Sequence, residues 1–214
     1  MIELSLQTFG ISIEVLFPAP RTFQKELIDI HAQWLTDSVN GFAVPPEQVR
    51  LQQNDIVFGY NLSVQLFGGN GHFSLDAQRA SLSARNARGR ADAELLRQVT
   101  DRFLRQFAKE NFTVAFAANA FAKADSTTVR DEYVQRYRFD PRIAHPGAVG
   151  YLRFDNWPIE VKFTVEPALG LEDNLFLVWT TRFPAGELSA IPDKVVGVFL
   201  EAAAVYGLQL RPLI

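Results

Sequence analysis

The chain has 214 residues, 48% of them hydrophobic and 21% charged, with a formal net charge of −3 and a pI near 5.7. That is enough apolar material for one good core or two small fused ones, and too little positive charge for a surface built wholly around nucleic acid. No cysteine is present, which excludes disulfides and thiolate metal sites, and 18 phenylalanines favour a packed sheet.

The first element is a strand in which Ile11, Ile13, Val15 and Phe17 alternate with Ser12 and Glu14 and which stops at Pro18. A helix follows between Thr22 and Ser38, with Thr22 as its cap and Phe23, Leu27, Ile30, His31, Trp34 and Leu35 as its apolar stripe. After the break from Gly41 to Pro46, Ile56, Phe58, Tyr60, Leu62, Val64 and Leu66 alternate as a long strand. Gly68-Gly69-Asn70-Gly71 turns it back, because these residues tolerate the positive φ of tight turns. Phe73 and Leu75 mark the next strand and Ala80 to Arg85 a third. Leu95, Leu96, Val99, Phe103 and Phe107 stripe a long helix whose positive end carries Asp92 and Glu94.

The second half runs in the same order. Val114, Phe116 and Ala118 begin it as a strand, and a helix over Thr127 to Tyr137 is capped by Asp125 or Ser126. Val149 to Phe154 form a strand, Asp155 to Pro158 take the place of the glycine turn, and Ile159, Val161, Phe163 and Val165 alternate with Glu160, Lys162, Thr164 and Glu166. Leu175 to Phe183 make the third strand. Ser189 and Ile191-Pro192 open a helix through Val195, Val196, Phe199, Ala203 and Tyr206 that ends at Gly207.

The order predicts an α+β fold: a duplicated β-α-β-β-β-α unit forming one curved, mainly antiparallel sheet of about eight strands, with the helices packed on one face. We expect a single globular domain over 1–214, its first unit spanning 1–110 and its second 111–214. The halves share a pattern rather than residue identities. The start of the chain has no basic, apolar leader, and no apolar run approaches the ~18 residues of a membrane span, so a cytoplasmic protein without a membrane partner is expected. Asn61-Leu62-Ser63 and Asn111-Phe112-Thr113, which match the glycosylation pattern, are coincidences in that compartment.

Alternation leaves the other sheet face open. In the first half it displays Asn61, Ser63, Gln65, His72, Ser74, Asp76, Ser81, Ser83 and Arg85; in the second, Arg153, Glu160, Lys162, Thr164, Glu166, Thr180 and Arg182. Arg85, Arg88 and Arg90 lead into a helix N-terminus, an arrangement that can hold a phosphate or carboxylate, although Asp92 and Glu94 oppose it. Ligand-binding candidates are therefore Arg85, Arg88, Arg90, His72, Arg153 and Arg182.

Catalytic and metal motifs are missing: no phosphate-binding glycine loop, no dinucleotide fingerprint, no His-Glu-x-x-His and no nucleophile elbow. His72, Ser74 and Asp76 superficially form a hydrolytic trio, but neighbours on one strand face sit ~6.5–7 Å apart, too far for triad contacts. His31 reads as a buried, hydrogen-bonded histidine and His145 as a loop residue. No cofactor, metal or catalytic residue is expected. The element order resembles that of the saddle of TATA-binding protein, but no motif of that family is matched, and its basic character and phenylalanine wedges are missing, so no membership follows. The expected function is a non-enzymatic binding or assembly module that uses the open face or an edge for a protein partner or self-association. The alternatives are nucleic-acid or phosphate binding through Arg85, Arg88 and Arg90, and an enzyme with a nonstandard site.

Overall fold

The computed structural model describes residues 1–54, 59–109, 111–155, 157–184 and 191–211, with side chains for all of these except Asn54, Arg90, Ala93, residues 157–159, Phe183, Pro184 and residues 191–196. Ten strands make one open sheet: β1 (Ile2–Leu16), β2 (Arg50–Asn54), β3 (Gly59–Leu66), β4 (Gly71–Leu75), β5 (Arg79–Ala87), β6 (Thr113–Lys123), β7 (Ala148–Phe154), β8 (Trp157–Pro167), β9 (Asn174–Pro184) and β10 (Leu208–Arg211). The helices are α1 (Lys25–Thr36), α2 (Arg90–Phe107), α3 (Thr127–Gln135) and α4 (Ile191–Val205). The fold is thus α+β with a curved, mainly antiparallel sheet in the order β2-β3-β4-β5-β1-β6-β9-β8-β7. β10 lies off this path and pairs in parallel with β1.

Two strands exceed the expectation. β2 reads Arg-Leu-Gln-Gln-Asn and has no apolar alternation, as befits an outermost strand; β10 has only four residues beyond Gly207. Ile56 and Phe58, expected in the long strand, lie outside the described residues, as does Ser189, whereas the last helix begins at Ile191 as expected. The turn expected over Asp155 to Pro158 is shorter, since Trp157 already pairs with Phe154.

β1 is the hub because its length serves three neighbours. One edge pairs with β6 from Ser5 to Leu16; the other takes β10 at Ile2–Ser5 and β5 at Phe9–Leu16. The register shift at Leu6/Thr8 adds a residue to β1 and so brings Leu4 to the same core side as Phe9, Ile11, Ile13 and Val15. The shift at Phe9/Ile11 adds one to β5 and leaves both Ala84 and Ala87 buried. Asn86, at φ 61, supplies the left-handed residue on β5 opposite the second shift.

The helices cover this core face. In the first half Phe73 of β4 touches Trp34 of α1 and both Phe103 and Phe107 of α2, with ring centroids 5.6–6.3 Å apart. In the second, Phe163 of β8 meets Phe199 of α4 at 5.7 Å and Tyr206 at 5.5 Å, and Phe199 reaches across to Phe9 of β1. Fully burying such rings is worth roughly 1.5–3 kcal/mol each. Tyr133 ties α3 to the end of α4 by donating to the Tyr206 carbonyl at 2.9 Å.

Four local expectations change. Gln24, not Thr22, is the N-cap of α1, and no side chain caps it. Its buried side is Ile28 and Leu35 with His31, Ala32 and Trp34 partly covered, whereas Leu27 and Ile30 face out at 44% and 56% exposure. Both sets are spaced helically, and only docking on β3 selects between them. Leu95 of α2 is likewise exposed, leaving Leu96, Val99, Phe103 and Phe107 to pack. By contrast Ser126 caps α3 as expected, accepting from the Val129 amide at 3.2 Å. The glycine turn also differs in kind: Phe67, Gly68 and Gly69 have φ of 53°, 63° and 95°, a left-handed turn. It folds the Phe67 ring over Gly71, where a Cβ would meet that ring at 2.6 Å.

Candidate functional site

The face away from the helices is open, and strand register maps it. One row runs Arg50, Ser63, Ser74, Ser81, Glu14, Ala115, Arg182 across seven strands; the next runs Gln65, His72, Ser83, Ser12, Ala117, Thr180, Lys162, Tyr151 across eight. At ~4.8 Å per strand, His72 and the β7 residues are roughly 30 Å apart. Serine and alanine fill the middle of both rows, with Glu14 among them on β1; Arg50, Gln65 and His72 stand at one flank and Lys162, Tyr151 and Arg182 toward the other. Beyond the rows, Phe121 of β6 and Phe176 of β9 pair on the same face with ring centroids 5.0 Å apart.

The residues selected from sequence do not converge. His72 lies on β4 with its Nε2 3.0 Å from Ser63 Oγ. Arg85 borders a cleft of about 170 Å³ between the end of β5 and α2. Arg88 is exposed, and its amide donates to Asp92 Oδ2 at 3.0 Å, so that carboxylate already occupies the backbone leading into the helix. The Arg90 side chain lies outside those described. Arg182 is exposed on β9, and Arg153 sits on β7 with Nε 3.5 Å from Glu160 Oε2.

The other members of the helical charge row have local partners. Glu94 accepts from Arg97 at 2.7 and 3.0 Å and from Gln98 at 3.0 Å, which draws its carboxyl down to about 2. Arg102 Nη1 donates to the Gly41 carbonyl at 2.8 Å and so pins the loop after α1. That loop needs glycine at 41, where a Cβ would lie 1.6 Å from the Trp34 carbonyl oxygen.

The superficial trio is dispersed. His72 pairs with Ser63, Ser74 Oγ lies 2.6 Å from Ser81 Oγ, and Asp76 leaves the strand face to accept from the Gln78 and Arg79 amides in the β4–β5 turn. His31 is half-buried between Phe23 and Phe107, with centroids 5.9 and 5.3 Å away, and its Nδ1 has no hydrogen-bond partner among the described residues. It is therefore not the hydrogen-bonded histidine expected, and burial holds its imidazole below the ordinary value. His145 is an exposed loop residue.

Two features escape sequence reasoning. Glu47, Gln48 and Arg50 join Ser63, Gln65, Gly68, Gly69 and His72 around a cleft of about 470 Å³. β2 carries no periodic signal, so nothing in the sequence brings residues 47–50 to His72. At the opposite end, β7 is the outermost strand and turns Val149 and Tyr151 onto the open face at 60% and 66% exposure. Among the described residues no cluster of three or more histidine or acidic side chains can hold a metal, and no helix is long and apolar enough to cross a membrane. The chain matches no protein-family model and no curated protein.

Proposed function

We propose that the protein is a non-enzymatic assembly module whose β7 edge pairs with β7 of a second copy. The observation that carries this reading is the exposure of Val149 and Tyr151 on an outermost strand that, among the described residues, has no strand paired beyond it. An edge of this kind is a template for strand addition unless charge, proline or a covering element blocks it. The regular part of β7 runs from Ala148 to Leu152, before the register shift toward Phe154. A twofold axis at Gly150 sets Val149 opposite Tyr151 of the copy, and Tyr151 opposite its Val149. Two aromatic to β-branched pairs then meet on the open face, each contributing roughly 0.2–1 kcal/mol. Ala148 opposes Leu152 on the other face.

Further parts of the reading belong with it. One unit used twice is supported by the strand order: β5, β4 and β3 follow β1 outward on one side as β9, β8 and β7 follow β6 on the other. One folding unit is supported by the apolar cluster that runs through both halves. A cytoplasmic location belongs to the same reading, since a chain without cysteine is compatible with a reducing interior.

That same lack gives a clean test. Antiparallel partners directly opposite have Cα atoms ~4.5–5.5 Å apart, within disulfide reach, and diagonal positions do not. An oxidised mixture of Val149→Cys and Tyr151→Cys chains should yield covalent dimers faster than either variant alone. Wild-type protein that sediments as a monomer at every concentration, or crosslinking no faster in the mixture, would sink the proposal.

A further inference from the structure

The cleft at the β2–β3–β4 end carries chemistry that edge pairing does not use. Its volume, about 470 Å³, is that of a small-molecule site. The 3-10 turn at Pro46–Gln48 and the first residue of β2 bring Glu47 and Arg50 to it, β3 brings Ser63 and Gln65, and β4 brings His72. The left-handed Gly68-Gly69 turn adds open space, because a Cβ on either glycine would meet nothing within 4 Å.

Its charges decide the ligand class. Glu47 and Arg50 are both exposed and three residues apart, a spacing that would pair them on a continuous helix. Here the turn ends between them, Val49 is extended, and neither forms an ion pair among the described residues. One cleft therefore presents an uncommitted carboxylate and an uncommitted guanidinium held apart. A phosphate would meet one cation and an opposing carboxylate. A nucleobase or sugar ring would find no phenylalanine, tyrosine or tryptophan among the lining residues, and the one imidazole there, His72, is held in a hydrogen bond with Ser63. A small molecule bearing both charges satisfies both groups.

We propose that this cleft binds a free α-amino acid with a polar side chain, its ammonium on Glu47 and its carboxylate on Arg50. Gln65 and the Ser63–His72 pair supply hydrogen bonds to the side chain. Whichever of Ser63 Oγ and His72 Nε2 donates across their 3.0 Å contact, the hydroxyl and the imidazole each keep another hydrogen-bonding valence for the ligand.

The test is calorimetric titration of the full-length protein with L-glutamine, L-serine and glycine, with acetate and methylammonium as single-charge controls. Saturable binding is expected for L-glutamine, weakened at least about tenfold by Glu47→Gln and, separately, by Arg50→Gln. Both side chains are exposed, so thermal melting should not move. Tyr151→Lys should bind as wild type does, which separates this site from assembly at β7. Acetate binding as tightly as L-glutamine, binding that survives both substitutions, or no binding of any of the three amino acids at millimolar concentration would overturn the proposal.

Discussion

At one end the sheet finishes in Arg50, Gln52 and Gln53 of β2, and at the other in Val149, Tyr151 and Arg153 of β7. Both are outermost strands with backbone groups to satisfy, yet they meet the requirement differently. On β2 the side chains of Arg50, Gln52 and Gln53 are ones water serves well, beside a single exposed apolar residue, Leu51, and their length hinders strand addition. The β7 edge exposes an apolar pair that water serves poorly. The ends of one sheet can thus be suited to different partners, a small polar molecule at β2 and a second chain at β7. The intervening strands β5, β1, β6, β9 and β8 keep the two proposed sites far apart.

The largest effects should show whether both ends belong to one body. Phe73→Ala on the β2 side and Phe163→Ala on the β7 side each empty a fully buried ring site and should cost about 3–5 kcal/mol. Each should lower a single calorimetric transition. Two transitions, of which each substitution moves only one, would break the comparison into two independent units. Next, Tyr151→Lys places two ammonium groups beside the proposed twofold axis. It should turn a concentration-dependent dimer into a monomer in sedimentation analysis while leaving urea stability within about 0.5 kcal/mol. Arg50→Gln should leave the dimer intact, and a loss there would mean that the ends are coupled.

Smaller effects sharpen each side separately. Tyr133→Phe removes the donor to the Tyr206 carbonyl and should cost about 1 kcal/mol in urea unfolding. The smallest belongs to His31. Its folded imidazole has a lowered affinity for protons, so the unfolded chain binds the proton more readily. That contribution is fully present above the unfolded value of about 6.5 and is lost as pH falls below it. The urea midpoint should therefore drop across that window, and His31→Leu should flatten the drop.

Much of the architecture is legible because strict alternation names both a strand and its faces. Val161, Phe163 and Val165 are buried while Glu160, Lys162 and Glu166 are exposed, as their spacing implies. Ser126 and Gly207 punctuate helices by local chemistry alone, the hydroxyl accepting an amide and the glycine adopting φ 74°. Where two patterns coexist the sequence is ambiguous. Leu27 and Ile30 are spaced as helically as Ile28 and Leu35, and only the position of β3 chooses between them. The cleft was less legible than the fold. His72 stood out by residue type, but Glu47 and Arg50 reach it only because a polar, unperiodic segment becomes an edge strand. Arg85, Arg153 and Arg182 fall on three separate strands, β5, β7 and β9, and Arg88 lies beyond the sheet in the connection to α2.

By itself, then, the sequence determined which stretches are helices and, β2 and β10 excepted, which are strands, which side of most strands is apolar, and where several helices begin and end. These follow from each residue's own rotamers, hydrogen-bonding groups and hydrophobicity at short range. Only the tertiary structure decided that β1 serves three neighbours, that β2 and β7 are the outer edges, and that Glu47, Arg50 and His72 share one cleft. Those outcomes depend on pairing between residues distant in the chain, where backbone hydrogen bonds carry no residue code and shared burial selects the register.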